Sequence, residues 1–266
     1  PQQTRALGYI ARGGTLDVAA SQTLTVSGSI SGDGTLNKTG TGTLALSGTS
    51  TQTGTTNVTA GNLQVGINSL GQTGPGAVNL NGAGTVLSGT GVVQGPVTVT
   101  TGTLRPGDNG GANVGTLTTG DLVFTPAAST TVAELQITGS SGSMNLAADK
   151  LVINGSLTLN GSSNITVNGD TYIPTLGDTF VLLDWSTVLD TGTTTVFSTG
   201  TNGRTGANIG NEGNLDLPDI GSYSLAWEIH DFSGSGSLTL VVIPEPSRTL
   251  FLMLGLLAFA WRRRRA

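Results

Sequence analysis

His230 is the single histidine of the chain, and Asp231 follows it directly, so this pair is the only imidazole–carboxylate chemistry on offer. Such a pair can move a proton for a nucleophile, but no nucleophile motif accompanies it here. There is no cysteine, which excludes thiolate catalysis, thiolate metal sites and disulfides. Polysaccharide-cleaving sites need clustered carboxylates, often with Ca²⁺ and a basic residue on the same face. Asp17, Asp33, Asp108, Asp121 and Asp149 are instead scattered, mostly beside glycine or at the start of strand-like stretches. Asp33-Gly34 reads as a turn, and Asp216 and Asp219 have no base nearby. The Gly-x-Gly pairs at Gly40, Gly82 and Gly234 complete no phosphate-binding loop. Trp185 and Trp227 could stack a sugar or fill a core, and the core is preferred. The expectation is a non-enzymatic protein with no cofactor and no metal.

The most specific pattern lies at the end of the chain. Pro244, Glu245 and Pro246 come first, then an apolar run over 250–261, then Arg262, Arg263, Arg264 and Arg265. The prolines lack N–H groups and have fixed φ, so the triplet should be extended, exposed and outside any sheet. The run reads as a single short membrane helix. Twelve residues rise only about 18 Å against a hydrocarbon core of about 30 Å, a length that alone suits a buried core helix. Its position decides otherwise: nothing but arginine and one alanine follows it, the arginines can snorkel, and Ser247 and Thr249 can lengthen the helix at its other end. Four arginines should stay in the cytoplasm, which puts the body of the chain across the membrane.

In order and content this tail resembles the PEP-CTERM sorting signal of Gram-negative bacteria. The resemblance implies recognition by exosortase, a membrane-embedded relative of cysteine protease-transpeptidases, and export, often alongside exopolysaccharide production. Leu217-Pro218-Asp219-Ile220-Gly221 looks superficially like a sortase motif, but it lacks the threonine and lies far upstream of the apolar run.

The body that these residues would deliver is rich in glycine, 42 of 266 residues, with only 10% charged. Regularly spaced Leu and Val argue against a disordered linker and for many short strands joined by turns. Up to Ile243 there are fifteen acidic and six basic residues, a formal charge of −9, and the terminal arginines form the only basic block. An acidic body is a poor partner for nucleic acid. The chain begins at Pro1, so an export signal is expected either to have been removed or to lie outside the sequence.

Thr-Leu followed by a polar residue and then Val or Leu recurs at Leu16, Leu24, Leu36 and Leu44. Leu16 to Leu36 and Leu24 to Leu44 are each 20 residues, and Leu44 to Leu63 is 19. Two short strands per twenty residues suit one coil of a β-solenoid, with Leu and Val inward and Thr, Ser and Asn facing solvent. The spacing continues from Val78 to Val97, from Val86 to Leu104 and from Leu104 to Leu122. Residues 34–48, continuing through Gly54 and 60–65, resemble the autotransporter-associated β-strand repeat. That resemblance implies a right-handed parallel β-helix of the passenger type, and since the sequence shows no outer-membrane barrel pattern, the chain is expected to share the passenger and not the translocator.

Three further strands end at Asn154-Gly155, Asn160-Gly161 and Asn168-Gly169 and are read as coils in preference to hairpins. Seven aromatics then fall between Tyr172 and Phe232. The expected organisation is an N-terminal segment 1–13, solenoid repeats 14–168, an aromatic-rich β cap 171–242 and the sorting tail 243–266. Such a protein would be exported, anchored in the inner membrane through its tail and then processed to the cell surface or the extracellular space. Its expected partners are exosortase, the membrane, and exopolysaccharide or other surface polymers. The rival reading is a carbohydrate-binding or polysaccharide-degrading β-helix with the same tail.

Overall fold

The computed structural model describes residues 2–5, 13–107, 113–125, 130–139, 146–159, 163–186, 215–218, 220–232 and 236–244, with 2–5, 130–132 and 231–232 described by backbone alone. Apart from one 3₁₀ turn, Gly221–Tyr223, the regular elements among these residues are all strands. The strands fall into three sheets, and parallel pairing runs from coil to coil. The first sheet passes from Gln2–Arg5 through Thr23–Val26, Thr43–Leu46, Asn62–Val65, Val86–Gly89, Thr103–Pro106, Thr130–Thr138 and Ser163–Asn168 to Leu215–Asp216. The second holds Gly14–Asp17, Leu36–Thr39, Thr56–Val58, Val78–Leu80, Val97–Val99, Leu122–Phe124 and Leu157–Leu159. The third begins at Val92–Val93 and continues through Thr116–Thr119 and Lys150–Ile153 to Thr179–Trp185. The chain is therefore a parallel β-solenoid. The three Asn-Gly strands stack as coils, since 150–153, 157–159 and 163–168 each pair in parallel with the coil before.

The coils have three sides. In the early ones the third side is only bridged, Thr49 to Gln72 to Val92, and it becomes a sheet from Val92 onward. Coil length grows as well. Leu24 stacks on Leu44 and Leu44 on Leu63, as the spacing predicts. Leu16 pairs with Lys38 instead of Leu36, because that coil is 22 residues long. Leu104 lies between Leu87 and Ala133, while Leu122 belongs to the second sheet between Val97 and Leu157. The apparent step from Leu104 to Leu122 thus joins two different sides of one coil. By the time Leu117 meets Leu151, the step has reached 34 residues.

Inward residues form unbroken ladders. Leu24, Leu44, Leu63, Leu87, Leu104, Ala133, Ile165 and Leu215 follow one another in register along the first sheet. All but the first are buried; Leu24 and Leu16, in the first coils, are partly buried. Each buried Leu contributes about 1.5–3 kcal/mol of hydrophobic stabilisation, and a step of about 4.8 Å keeps successive side chains in contact. Where coils turn, backbone approaches backbone. At Gly54, Gly76 and Gly95 a Cβ would overlap the carbonyl oxygen of Gly34, Gly54 and Gly76 respectively, so this corner column admits only glycine.

Not every outward residue faces solvent. Thr25, Ala45, Gln64 and Ser88 form an outward column of the first sheet, yet all four are buried. Ala45 sits between Thr25 and Gln64, and Ser88 between Gln64 and Arg105, so small side chains lie below taller neighbours one coil away. Ser88 Oγ also donates to Asn62 Oδ1 at 3.0 Å.

Two antiparallel strands finish the third sheet. Ser237–Pro244 pairs with Thr179–Trp185 on one side and with Leu225–Phe232 on the other. Beneath them Tyr172 meets Phe180 edge-on (5.1 Å) and stacks on Trp227 (5.8 Å). Trp227 Nε1 donates to the Pro218 carbonyl at 2.9 Å. Trp185 and Trp227 are both buried, which rules out a sugar-stacking platform at these rings.

Candidate functional site

The described carboxylates are dispersed, and four of them, Asp121, Glu134, Asp149 and Asp184, fasten one coil to another. Asp121 accepts from the Ser156 N–H (2.7 Å) and Oγ (3.0 Å) across a coil, and these bonds hold its carboxyl below the usual range. Glu134 pairs with Arg105 at 2.8 Å, and Asp184 with Lys150 at 2.9 Å. Asp178 accepts from Tyr172 Oη and the Thr175 N–H, each at 2.8 Å. Burial, and then this acidic neighbour, push the Tyr172 phenol up. Asp17 and Asp33 are exposed, Asp216 is half-buried, and Asp108 and Asp219 lie outside the described residues. Among the described residues, no three His, Asp or Glu side chains come together.

His230 Nε2 lies 3.6 Å from Glu228 Oε2. A strand puts successive positions on opposite faces, so residue 228, and not residue 231, shares the face of His230.

The burial of Lys38 and Asp149 among the coils was not read from the sequence. Lys38 occupies an inward column with Leu16, Val58, Leu80, Val99 and Phe124 and is completely buried. Its ammonium donates to the carbonyls of Thr39 (2.8 Å), Gly40 (2.7 Å) and Ala60 (3.0 Å), which spends all three donors. Desolvation lowers its pKa to about 8, with Asp17 opposing. Asp149 is buried between two coils, accepting from the Gly115 N–H and the Gln136 N–H at 2.8 Å each. Burial raises its pKa to about 7 against the pull of those two bonds. The alternation of 36–39 carried a signal for Lys38, because it stands two residues after an inward Leu. Asp149 had none beyond its place at the head of a strand.

The outer face of the second sheet is mostly half-buried. Its register sets Thr15, Asn37, Asn57, Asn79, Thr98, Val123 and Thr158 in one column. Asn57 Nδ2 donates to Asn37 Oδ1 and Asn79 Nδ2 to Asn57 Oδ1, both at 3.2 Å, an amide ladder that spans three coils. The column itself holds no charged side chain, and the exposed Asp17 stands beside it, two residues after Thr15 on the same strand.

Of the tail residues, Pro244 is the one the structure describes. It ends the strand Ser237–Pro244 opposite Leu225, which corrects the expectation that the whole triplet stands outside a sheet. A proline is tolerated there because the other neighbour, Thr179–Trp185, stops pairing at Val241, so no donor is required. Glu245, Pro246, the apolar run 250–261 and Arg262, Arg263, Arg264 and Arg265 lie outside the described residues. Among the described residues no helix is long and apolar enough to cross a membrane.

Residues 36–65 match the family model of the passenger-associated-transport-repeat. The match takes in Leu36–Thr39 and Thr56–Val58 of the second sheet and Thr43–Leu46 and Asn62–Val65 of the first, so it covers neighbouring coils of the stack. No curated protein matches the chain.

Proposed function

We propose that this chain is an exported, non-enzymatic β-solenoid of the cell envelope or extracellular matrix, sorted and processed through its C-terminal tail by exosortase. The observation that carries the reading is the passenger-type repeat at 36–65, lying on two of the stacked parallel coils. Repeats of that name belong to passengers, the portions of secreted proteins that reach the surface. The acidic side chains support the same reading, since Asp121, Glu134, Asp149 and Asp184 fasten coils together and no three described ones converge with one another. A half-buried column of Thr and Asn side chains is suited to contact with hydroxyl-rich surface polymers.

The tail supplies the address. Pro244, Glu245 and Pro246 are the recognised element, the run 250–261 a marginal anchor, and Arg262 to Arg265 the cytoplasmic stop. The protein is held in the inner membrane by this tail and reaches the surface or the matrix after the tail is removed. The test is to express the full chain in paired Gram-negative hosts with and without an active exosortase and to fractionate the cells. The proposal expects full-length protein in the inner membrane without the enzyme and a shortened product outside with it. Identical full-length protein in both hosts contradicts it, and release of sugars from a surface polysaccharide by the purified protein favours the enzymatic rival.

A further inference from the structure

The strand Ser237–Pro244 is held unequally along its length. Thr179–Trp185 pairs with it as far as Thr179 opposite Val241. Val242 closes that side: its N–H donates to the Asp178 carbonyl and its carbonyl accepts from the Gly177 N–H, both at 2.9 Å. On the other side Leu225–Phe232 runs two residues further, with Ala226 opposite Ile243 and Leu225 opposite Pro244. Leu238, Leu240 and Val242 are buried, Ile243 is half-buried and Pro244 is exposed. Among the described residues, then, the chain is gripped on two sides up to Val242 and on one side for two residues more.

A cleft that cuts a peptide takes it as an extended strand, pairing with its backbone and filling pockets with its side chains. Residues already paired in a sheet must first be peeled away. Freeing Ile243 and Pro244 breaks pairing on a single side. Freeing Val242 as well breaks its two bonds to Asp178 and Gly177 on the other side and exposes a buried valine. The resistance to peeling therefore steps up at Val242.

We propose that the folded hairpin sets the limit of processing: the enzyme that removes the tail engages the one-sided stub Ile243–Pro244 and cuts on the C-terminal side of Pro244. The released protein keeps the whole strand Ser237–Pro244. In the cut the peptide C–N bond breaks, the amine of the tail leaves with a proton, and the acyl carbon passes to water or to the amine of an acceptor. This inference rests on the reading of the tail given above and adds where the fold allows it to be removed.

The test expresses the full chain in a host with an active exosortase and identifies the C-terminal peptide of the exported product by mass spectrometry. A last residue at Pro244 or later is expected, and one at Ile243 or earlier overturns the inference while leaving processing itself intact. A product that retains Trp261 and the arginines overturns the tail reading instead. A second measurement needs no exosortase: proteinase K is applied to the purified full-length protein under native conditions. The resistant fragment should end at Pro244 or a few residues beyond, and a fragment ending within 237–243 overturns the inference. Trp227→Ala removes the ring beneath the hairpin and should move the ends upstream in both experiments. Unchanged ends in that variant detach the limit from the hairpin and overturn the proposal.

Discussion

Replacing Lys38 by Met keeps the length of the side chain in its inward column and removes the only charge there. In the folded protein the ammonium has no exposed surface and is held by three carbonyls. Burial has moved its pKa from the ordinary 10.5 to about 8, a difference worth about 3 kcal/mol between the two protonation states. The sign follows from proton counting. Between pH 8 and 10.5 the folded state has lost the proton while the unfolded chain still holds it, so stability rises with pH across that window. Below pH 8 both states are charged and the full cost of burial is present. At pH 7 Met relieves that cost of about 3 kcal/mol. It also strips an acceptor's partner from three carbonyls, at about 1–3 kcal/mol for each one left unsatisfied. Thr39 O still accepts from the Val18 N–H, so two carbonyls at most are orphaned and the net change at pH 7 is small. Urea unfolding followed by circular dichroism, run on both proteins from pH 7 to pH 10.5, reads the difference. Wild type should gain about 3 kcal/mol on the Met variant over that range. A difference that stays flat, or falls as pH rises, refutes the account of Lys38 as a desolvated charge.

Asp149 works in the opposite direction. Its folded pKa, raised to about 7, lies above the ordinary 3.8, so stability is greatest below about pH 4 and is lost as pH rises to about 7. Asp149→Asn should abolish that slope and cost about 1–3 kcal/mol near pH 4 by leaving the Gly115 or the Gln136 N–H without an acceptor, measured by the same urea series. Leu44→Asp puts an unpaired charge between Leu24 and Leu63 inside the first sheet and should cost more than about 4 kcal/mol, seen as loss of the β circular-dichroism signal in the repeat region. Asp33→Asn, at an exposed turn, should stay within about 0.5 kcal/mol of wild type and leave any polymer binding unchanged in a pull-down.

Alternation and spacing exposed the solenoid where coils are short and uniform. Leu24, Leu44 and Leu63 differ by 20 and 19 residues and stack as expected, because the corners between them are equal and lined with glycine. The spacing loses its meaning once corners lengthen. Leu104 and Leu122 are 18 apart yet sit on different sides of a coil, a distinction carried by loop geometry and not by the apolar pattern. The third sheet was hidden for a related reason, since its early strands are single bridges through Thr49 and Gln72. Chemistry was legible mainly by exclusion: Asp17, Asp33, Asp121 and Asp149 are far apart along the chain, and no three carboxylate or histidine side chains come together among the described residues. Lys38 went unread in the sequence because of its type. A lysine is taken as solvated, and only three converging carbonyls from two adjacent corners make its burial tolerable. Pro244 was misjudged through its neighbours, because its missing N–H matters only where a strand lies on the donor side.

The central claim is that this solenoid is delivered to the outside of the cell, and the absence of cysteine makes it directly measurable. Leu70 is 68% exposed and lies in the tight turn where Ile67 and Leu70 bridge, away from the inward ladders. Leu70→Cys therefore introduces a single accessible thiol at little structural cost. A membrane-impermeant maleimide is then applied to intact and to lysed cells of a Gram-negative host with an active exosortase. The account predicts equal labelling in the two samples. Labelling that appears only after lysis contradicts export to the surface.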